Sequence, residues 1–176
     1  MWGYSRHNVR PDIVTLGKPM GNGQPIAGIV GRAEVVDDFG KHMRYFNTFG
    51  GNPVSCAAGQ AVLDVIQDEH LQQRSHDIGG YLLAGLTKLA QRHEMIGDVR
   101  GAGMFLGIEL VTDRATKRPA AEQARKVVNS MREQGVLISA AGPLENVLKI
   151  RPLLAFTQEH AEMLIEAVDV AMQGVH

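Results

Sequence analysis

Between Met104 and Val111 the side chains alternate: Met104, Leu106, Ile108 and Leu110 share one face, and Phe105, Gly107, Glu109 and Val111 the other. Period two belongs to a pleated strand with one buried face. On both sides of this run the period changes to that of a helix. Val54, Ala57, Ala58, Ala61, Val62, Val65 and Ile66 make one stripe, and Leu71, Ile78, Leu82, Leu86 and Leu89 a second. Ala124, Val127, Val128 and Met131 make a third, and Ala161, Leu164, Ile165, Val168 and Met172 a fourth. A chain that switches period in this way is an α/β protein, with an alternating α/β layer from Ile96 onward.

Punctuation residues mark the element ends. Asn52 suits an N-cap and Pro53 the first helical position, where a missing N–H costs nothing. Thr157 opens the last helix, and Gly135 stops the helix Ala121–Gln134. Gly79-Gly80 sits inside the second stripe at a cost of roughly 1 kcal/mol each relative to alanine, so tertiary packing is expected to hold that helix. Further strands are expected at Val136–Ser139 and Val147–Ile150. Nearer the start, Asp12–Leu16 and Ile26–Val30 read as two strands joined by a glycine-rich turn, followed by a brief helix Ala33–Phe39. Residues 1–10 read as loop, because Pro11 disfavours a helix before it.

Composition excludes several classes. With 18 basic and 19 acidic residues there is no charge excess to hold nucleic acid or a membrane surface. No apolar run reaches bilayer length, and the first residues lack a signal pattern. Cys56, the only cysteine, gives no disulfide framework and no thiolate zinc site; a reducing cytoplasm is the default setting, and a buried apolar place on a helix the expected role. The seven histidines, His7, His42, His70, His76, His93, His160 and His176, lack metal-ligand spacing, so no metal is expected. Ser75-His76-Asp77 is contiguous, which is not how a hydrolytic triad is assembled. Gly101–Gly107 has one residue too many for a nucleotide loop and leads into a strand.

The stretch with chemical potential is Asp12-Ile-Val-Thr-Leu-Gly-Lys-Pro-Met-Gly-Asn-Gly-Gln-Pro25. Lys18 stands at a strand end among glycines that let a flat ligand approach the backbone. Two readings are open: a solvated lysine in a hairpin turn, or an amine that sheds its proton in a pocket and attacks a carbonyl.

Four blocks in order decide between them. Pro11–Ala27, Tyr45-Phe-Asn-Thr-Phe-Gly-Gly-Asn-Pro53, Arg100-Gly-Ala-Gly-Met-Phe-Leu-Gly-Ile-Glu109 and Leu148-Lys-Ile-Arg-Pro152 resemble the class III aminotransferases, pyridoxal-phosphate enzymes of fold type I. Phe46–Cys56 and Val136–Lys149 look most like the branch holding alanine-glyoxylate-type aminotransferases and the phospho-lyases of phosphoethanolamine and phosphohydroxylysine. The resemblance implies the C-terminal portion of that fold: residues 1–52 as the end of the cofactor-binding large domain, 53–95 as connecting helices, and 96–176 as the small α/β domain. Lys18 would form the Schiff base with pyridoxal phosphate and move the proton in catalysis. Thr48 would hydrogen-bond the cofactor phosphate from the neighbouring subunit, which implies a homodimer. Arg151 takes the position of an arginine that receives the substrate carboxylate, with a structural salt bridge as the other reading; the text here is Arg-Pro-Leu where Arg-Pro-Pro is commoner. Arg100 either reaches the substrate or pairs with Asp98.

The implied activity transfers an amino group between an amine or amino acid and a keto acid. Elimination of phosphate from a phosphorylated amine is the alternative, and a catalytically incompetent fragment that folds and dimerises is a third. The resemblance also places Met1-Trp2 in mid-domain. The phosphate loop, the ring-stacking aromatic and the aspartate for the pyridine nitrogen are then expected on an N-terminal portion outside these residues. Strands Asp12–Leu16 and Ile26–Val30 would consequently have open edges, with disorder or intermolecular pairing over roughly the first 50 residues.

Overall fold

The structure, a computed structural model, describes residues 2–175; Met1 and His176 lie outside the described residues. The chain divides into two compact units, Met1–Gln72 and Gln73–His176.

In the first unit a 3-10 turn, Gly3–His7, replaces the expected loop, closed by Asn8 in the left-handed region with its N–H on Tyr4 O. Strands β1 (Ile13–Leu16) and β2 (Gly28–Gly31) pair antiparallel, from Ile13 opposite Gly31 to Leu16 opposite Gly28. Arg32 closes this ribbon: its backbone N–H donates to Asp12 O at 3.0 Å and its Nη1 to Asp12 Oδ1 at 2.8 Å. Helix α1 (Ala33–His42) continues past the expected Phe39, through Gly40, and closes at Met43, whose N–H donates to Phe39 O at 2.8 Å.

Helix α2 (Pro53–Asp68) starts as the sequence requires. Asn52 Oδ1 accepts the Ser55 N–H at 2.9 Å, and Pro53 fills the first helical position. Its face differs from the expected apolar stripe. Ser55 and Gly59 are the buried residues, whereas Val54, Ala57, Ala61 and Val65 are exposed. Cys56, expected inside, is exposed too; it neighbours Ser55 on the helix, and the inward position belongs to the serine. Helix α3 (Leu71–Arg92) leads on into the second unit.

There the strands are β3 (Ile96–Ala102), β4 (Phe105–Asp113), β5 (Arg118–Pro119), β6 (Ser139–Ala141) and β7 (Val147–Ile150), with α4 (Ala121–Glu133) before β6 and α5 (Gln158–Gln173) last. The sheet runs β3-β4-β7-β6 with β5 on the free length of β4, and every pairing is antiparallel. Leu106, Ile108 and Leu110 of β4 and Leu148 and Ile150 of β7 are buried with Leu82, Leu86, Val127, Met131, Leu164 and Val168 of the helices in one cluster. Burying a side chain of this size stabilises by roughly 1.5–3 kcal/mol, so this cluster outweighs any single surface contact. The alternate strand positions Phe105, Glu109 and Lys149 stay at least partly exposed, as period two demands, but Val111, expected on that open face, is buried, packed beside Gly97.

β6 is displaced from the expected Val136–Ser139. Gly135, at φ +81°, ends α4 and the Val136 N–H is taken by Met131 O at 2.9 Å, so ladder pairing begins only where Ser139 meets Lys149. Gly79 explains the cost carried by α3. A Cβ there would lie 2.1 Å from Gly103 O in the β3–β4 turn, whereas one on Gly80 would meet nothing within 4 Å. Ser75 seals the same junction by accepting the Met104 N–H at 3.3 Å.

Polar side chains secure the rest. Asn146, buried, donates from Nδ2 to Leu110 O at 2.8 Å while its backbone carbonyl accepts the Leu110 N–H. Asp169 of α5 receives His93 Nε2 at 2.6 Å and Arg92 Nη2 at 2.7 Å, fastening the end of α3. The His93 hydrogen bond, then the Arg92 charge, holds the Asp169 carboxyl below the usual aspartate range.

Candidate active site

Lys18 opens a 3-10 turn, Lys18–Gly21, directly after β1. Its φ is +51°, a left-handed backbone that long side chains rarely adopt. The turn closes through Asn22, whose N–H donates to Pro19 O at 3.0 Å. The Lys18 side chain is exposed and belongs to none of the ion pairs among the described residues.

Thr48 lies in the same unit, in the exposed loop before α2. Asn47 shapes that loop: its Oδ1 accepts the N–H groups of Phe49 at 3.2 Å and Gly50 at 3.0 Å, an Asx turn. Asn52 Nδ2 then donates to Phe49 O at 2.8 Å. Gly51, at φ +69°, faces open space: a Cβ there would meet nothing within 4 Å.

One tie joins the two segments, and sequence reasoning missed it. Gln24 Nε2, at the end of the glycine-rich turn, donates to Ser55 Oγ at 2.9 Å, and Asn52 Nδ2 reaches the same oxygen at 3.1 Å. The turn that carries Lys18 is thereby hydrogen-bonded to the helix start that follows Thr48. Ile26 packs beneath, close enough to Gly59 of α2 that a Cβ there would stand 3.2 Å from Ile26 Cδ1. Local pattern gives no hint of the tie, because its partners are 31 residues apart.

Arg151 belongs to the second unit, where it is exposed and forms no ion pair among the described residues. It borders a cleft of about 620 Å³ together with Lys149. Arg100 resolves differently. Its Nη1 donates to Asp98 Oδ2 at 2.6 Å and Glu109 Oε2 at 2.7 Å, so the guanidinium is spent on its own sheet. Both carboxylates raise the Arg100 pKa, Asp98 the more strongly.

The donor set fits pyridoxal phosphate in its chemistry. An unpaired primary amine suits an aldehyde, and an exposed hydroxyl in a loop just ahead of a helix N-terminus suits a phosphate. Among the described residues no group of three His, Cys, Asp or Glu side chains is placed to hold a metal ion, and no helix is long and apolar enough to cross a membrane.

Known proteins bear on this arrangement. An alanine–glyoxylate aminotransferase 2 homologue from Arabidopsis thaliana, named as mitochondrial, is 48% identical over 97% of this chain and 36% of its own length. A phospholyase from Arthrobacter, solved in complex with phosphoethanolamine, is 45% identical and superposes with a TM-score of 0.96 over all of this chain and 42% of its own. An amine transaminase from an uncultivated Pseudomonas species, solved with pyridoxal phosphate bound, is 30% identical with a TM-score of 0.85 over 98% of this chain and 40% of its own. This chain thus spans about two fifths or less of the relatives it matches. The family model for Aminotransferase class-III matches residues 1–172, and with that extent of agreement the chain belongs to the class III aminotransferase family, in the mixed α/β fold of the pyridoxal-phosphate-dependent aminotransferases.

Proposed function

We propose that this chain is the catalytic-lysine and small-domain portion of a pyridoxal-phosphate enzyme that transfers an amino group between an amine or amino acid and a keto acid. Residues 1–52 are the end of its large domain, 53–95 connecting helices and 96–176 the small domain. The observation that carries the reading is the unpaired amine of Lys18, held at a left-handed backbone position by a turn that Gln24 binds to the start of α2.

Pyridoxal phosphate, when bound, supplies an aldehyde and a ring that accepts electrons. Lys18 Nζ would hold the cofactor through its aldehyde, and the same amine would serve as the base that holds and returns the substrate proton. Thr48 Oγ1 would hold the cofactor phosphate by a hydrogen bond, in a homodimer that of the neighbouring subunit. Arg151 offers two parallel N–H donors that orient a substrate anion.

Elimination of phosphate from a phosphorylated amine is the second reading. It is favoured by the Arthrobacter phospholyase, whose superposition covers the whole of this chain. A lyase would release phosphate without consuming a keto acid. A reducing, cytoplasmic setting is the default for a chain with one cysteine, and the Arabidopsis relative carries a mitochondrial name.

Titrating the protein with pyridoxal phosphate tests the lysine. The expected result is a near-visible absorbance band that borohydride fixes covalently and that disappears in Lys18→Ala and Lys18→Arg. Fixation of equal amount in Lys18→Ala would overturn the assignment.

A further inference from the structure

Lys18 keeps its left-handed φ of +51° in a segment that has little of its own to hold it there. Short-range bonds close the turn: Met20 N–H to Gly17 O at 3.3 Å, Asn22 N–H to Pro19 O at 3.0 Å and Gln24 N–H to Gly21 O at 3.1 Å. Among the described residues, Gln24 Nε2 to Ser55 Oγ is the side-chain hydrogen bond that leaves residues 17–27. A strained conformation persists only where its surroundings over-determine it. Here those surroundings are one face of α2.

Ser55 and Gly59, the buried residues of α2, stand one turn apart and share that face. Gln24 lands on the first, and Ile26 Cδ1 lies over the second, 3.2 Å from where a Cβ would stand. Gly21 completes the fit, since a Cβ there would come within 2.7 Å of Ile26 Cγ2. A hydroxyl oxygen has two acceptor sites, and both are filled: Gln24 takes one and Asn52 Nδ2, at 3.1 Å, the other. Asn52 Nδ2 also donates to Phe49 O at 2.8 Å, directly after Thr48. One buried side chain thus anchors the lysine turn and the threonine loop together.

We propose that Ser55 and Gln24 are positioning residues for the cofactor: the Ser55 hydroxyl fixes the Lys18 turn through Gln24 and the Thr48 loop through Asn52. The assignment rests on the lysine and threonine roles given above. A lysine amine rides on a long flexible stem, so the place of its backbone limits where it can react. Gln24 acts on the amine side alone, whereas Ser55 acts on both sides.

Ser55→Ala spares the helix cap, because Asn52 Oδ1 accepts the backbone N–H of residue 55. Without cofactor, amide exchange at Met20, Asn22 and Gln24 should quicken about tenfold in Ser55→Ala and in Gln24→Leu, with the β4 amides unchanged. The double variant should exchange no faster than Ser55→Ala, as the two ends of one bond require. Equilibrium binding of pyridoxal and of pyridoxal phosphate, read by the borohydride-fixed adduct, then separates the two sides. Gln24→Leu should weaken both aldehydes by one factor, about threefold to tenfold, and Ser55→Ala should weaken pyridoxal phosphate more than pyridoxal. Ser55→Thr, which keeps the hydroxyl, should restore both. Gln60→Leu, which removes an exposed hydrogen bond to Asp64 on the same helix, should change neither. Turn-amide exchange altered less than about twofold in both variants overturns the proposal, as does an equal loss of the two aldehydes in Ser55→Ala. Failure here is separable from failure of the lysine reading. An adduct that disappears in Lys18→Ala but is untouched by Ser55→Ala and Gln24→Leu removes only the positioning role, and the cofactor-free exchange reports on that role without Lys18 chemistry.

Discussion

Lys18, proposed above as the anchoring amine, stores backbone strain at its φ of +51°. A left-handed φ costs an L-residue with a side chain about 1–2 kcal/mol, and glycine almost nothing. Lys18→Gly should therefore melt at a higher temperature than Lys18→Ala, by a margin worth about 1 kcal/mol, although both lack the amine. Equal melting temperatures would show the turn to be relaxed with any residue at this position. Such a trade of stability for placement is a recognised mark of functional sites. The lysine's chemical candidacy was visible in the sequence through the ordered blocks around it. Its backbone state was not, because a lysine between Gly17 and Pro19 carries no local signal for positive φ. Gln24 and Ser55 were equally invisible, since their bond depends on how distant segments meet.

Among the elements, α3 gives the sharpest test. Gly79 admits the β3–β4 turn to direct contact with the helix backbone, whereas Gly80 faces open space. Gly79→Ala should destabilise by about 1–3 kcal/mol through forced separation of helix and turn. Gly80→Ala should instead stabilise by about 0.5–1 kcal/mol, the ordinary gain in a helix interior. Urea unfolding of both variants checks the pair, and the opposite signs are the signature. Sequence reasoning priced the two glycines alike, because helix propensity is a local quantity and close approach is not. It did place the strong helices, whose caps at Asn52 and Thr157 and stop at Gly135 act within a single turn. It misplaced β6, since a strand needs a partner and only Ser139 onward has one.

At the scale of the whole molecule the two units differ in how much they bury. The large core cluster draws its residues from Leu82 to Val175, all in the second unit. The first unit instead displays Phe46 at 82% and Phe49 at 80% exposure, and Ile29 at 71% on β2. A two-stranded ribbon is marginal without a covering layer. Amide hydrogen exchange should therefore be fast throughout β1 and β2 and slowest in β4, β7 and α5, by several orders of magnitude. Comparable protection in β1 and β4 would contradict this. The apolar stripe of α2 teaches the same lesson. Periodicity reported that Val54, Ala57, Ala61 and Val65 share a face, but whether a face is covered depends on neighbours that no periodicity records.

The contact between Gly79 and Gly103 also sets a rule for recombining this protein with its relatives. Ser75, Gly79, Gly103 and Met104 form a matched interlock, with a hydroxyl on one side and bare backbone on both. Crossover points for chimeras consequently belong outside residues 75–104, and swaps of the open-face residues of β7 can be made without disturbing that seam.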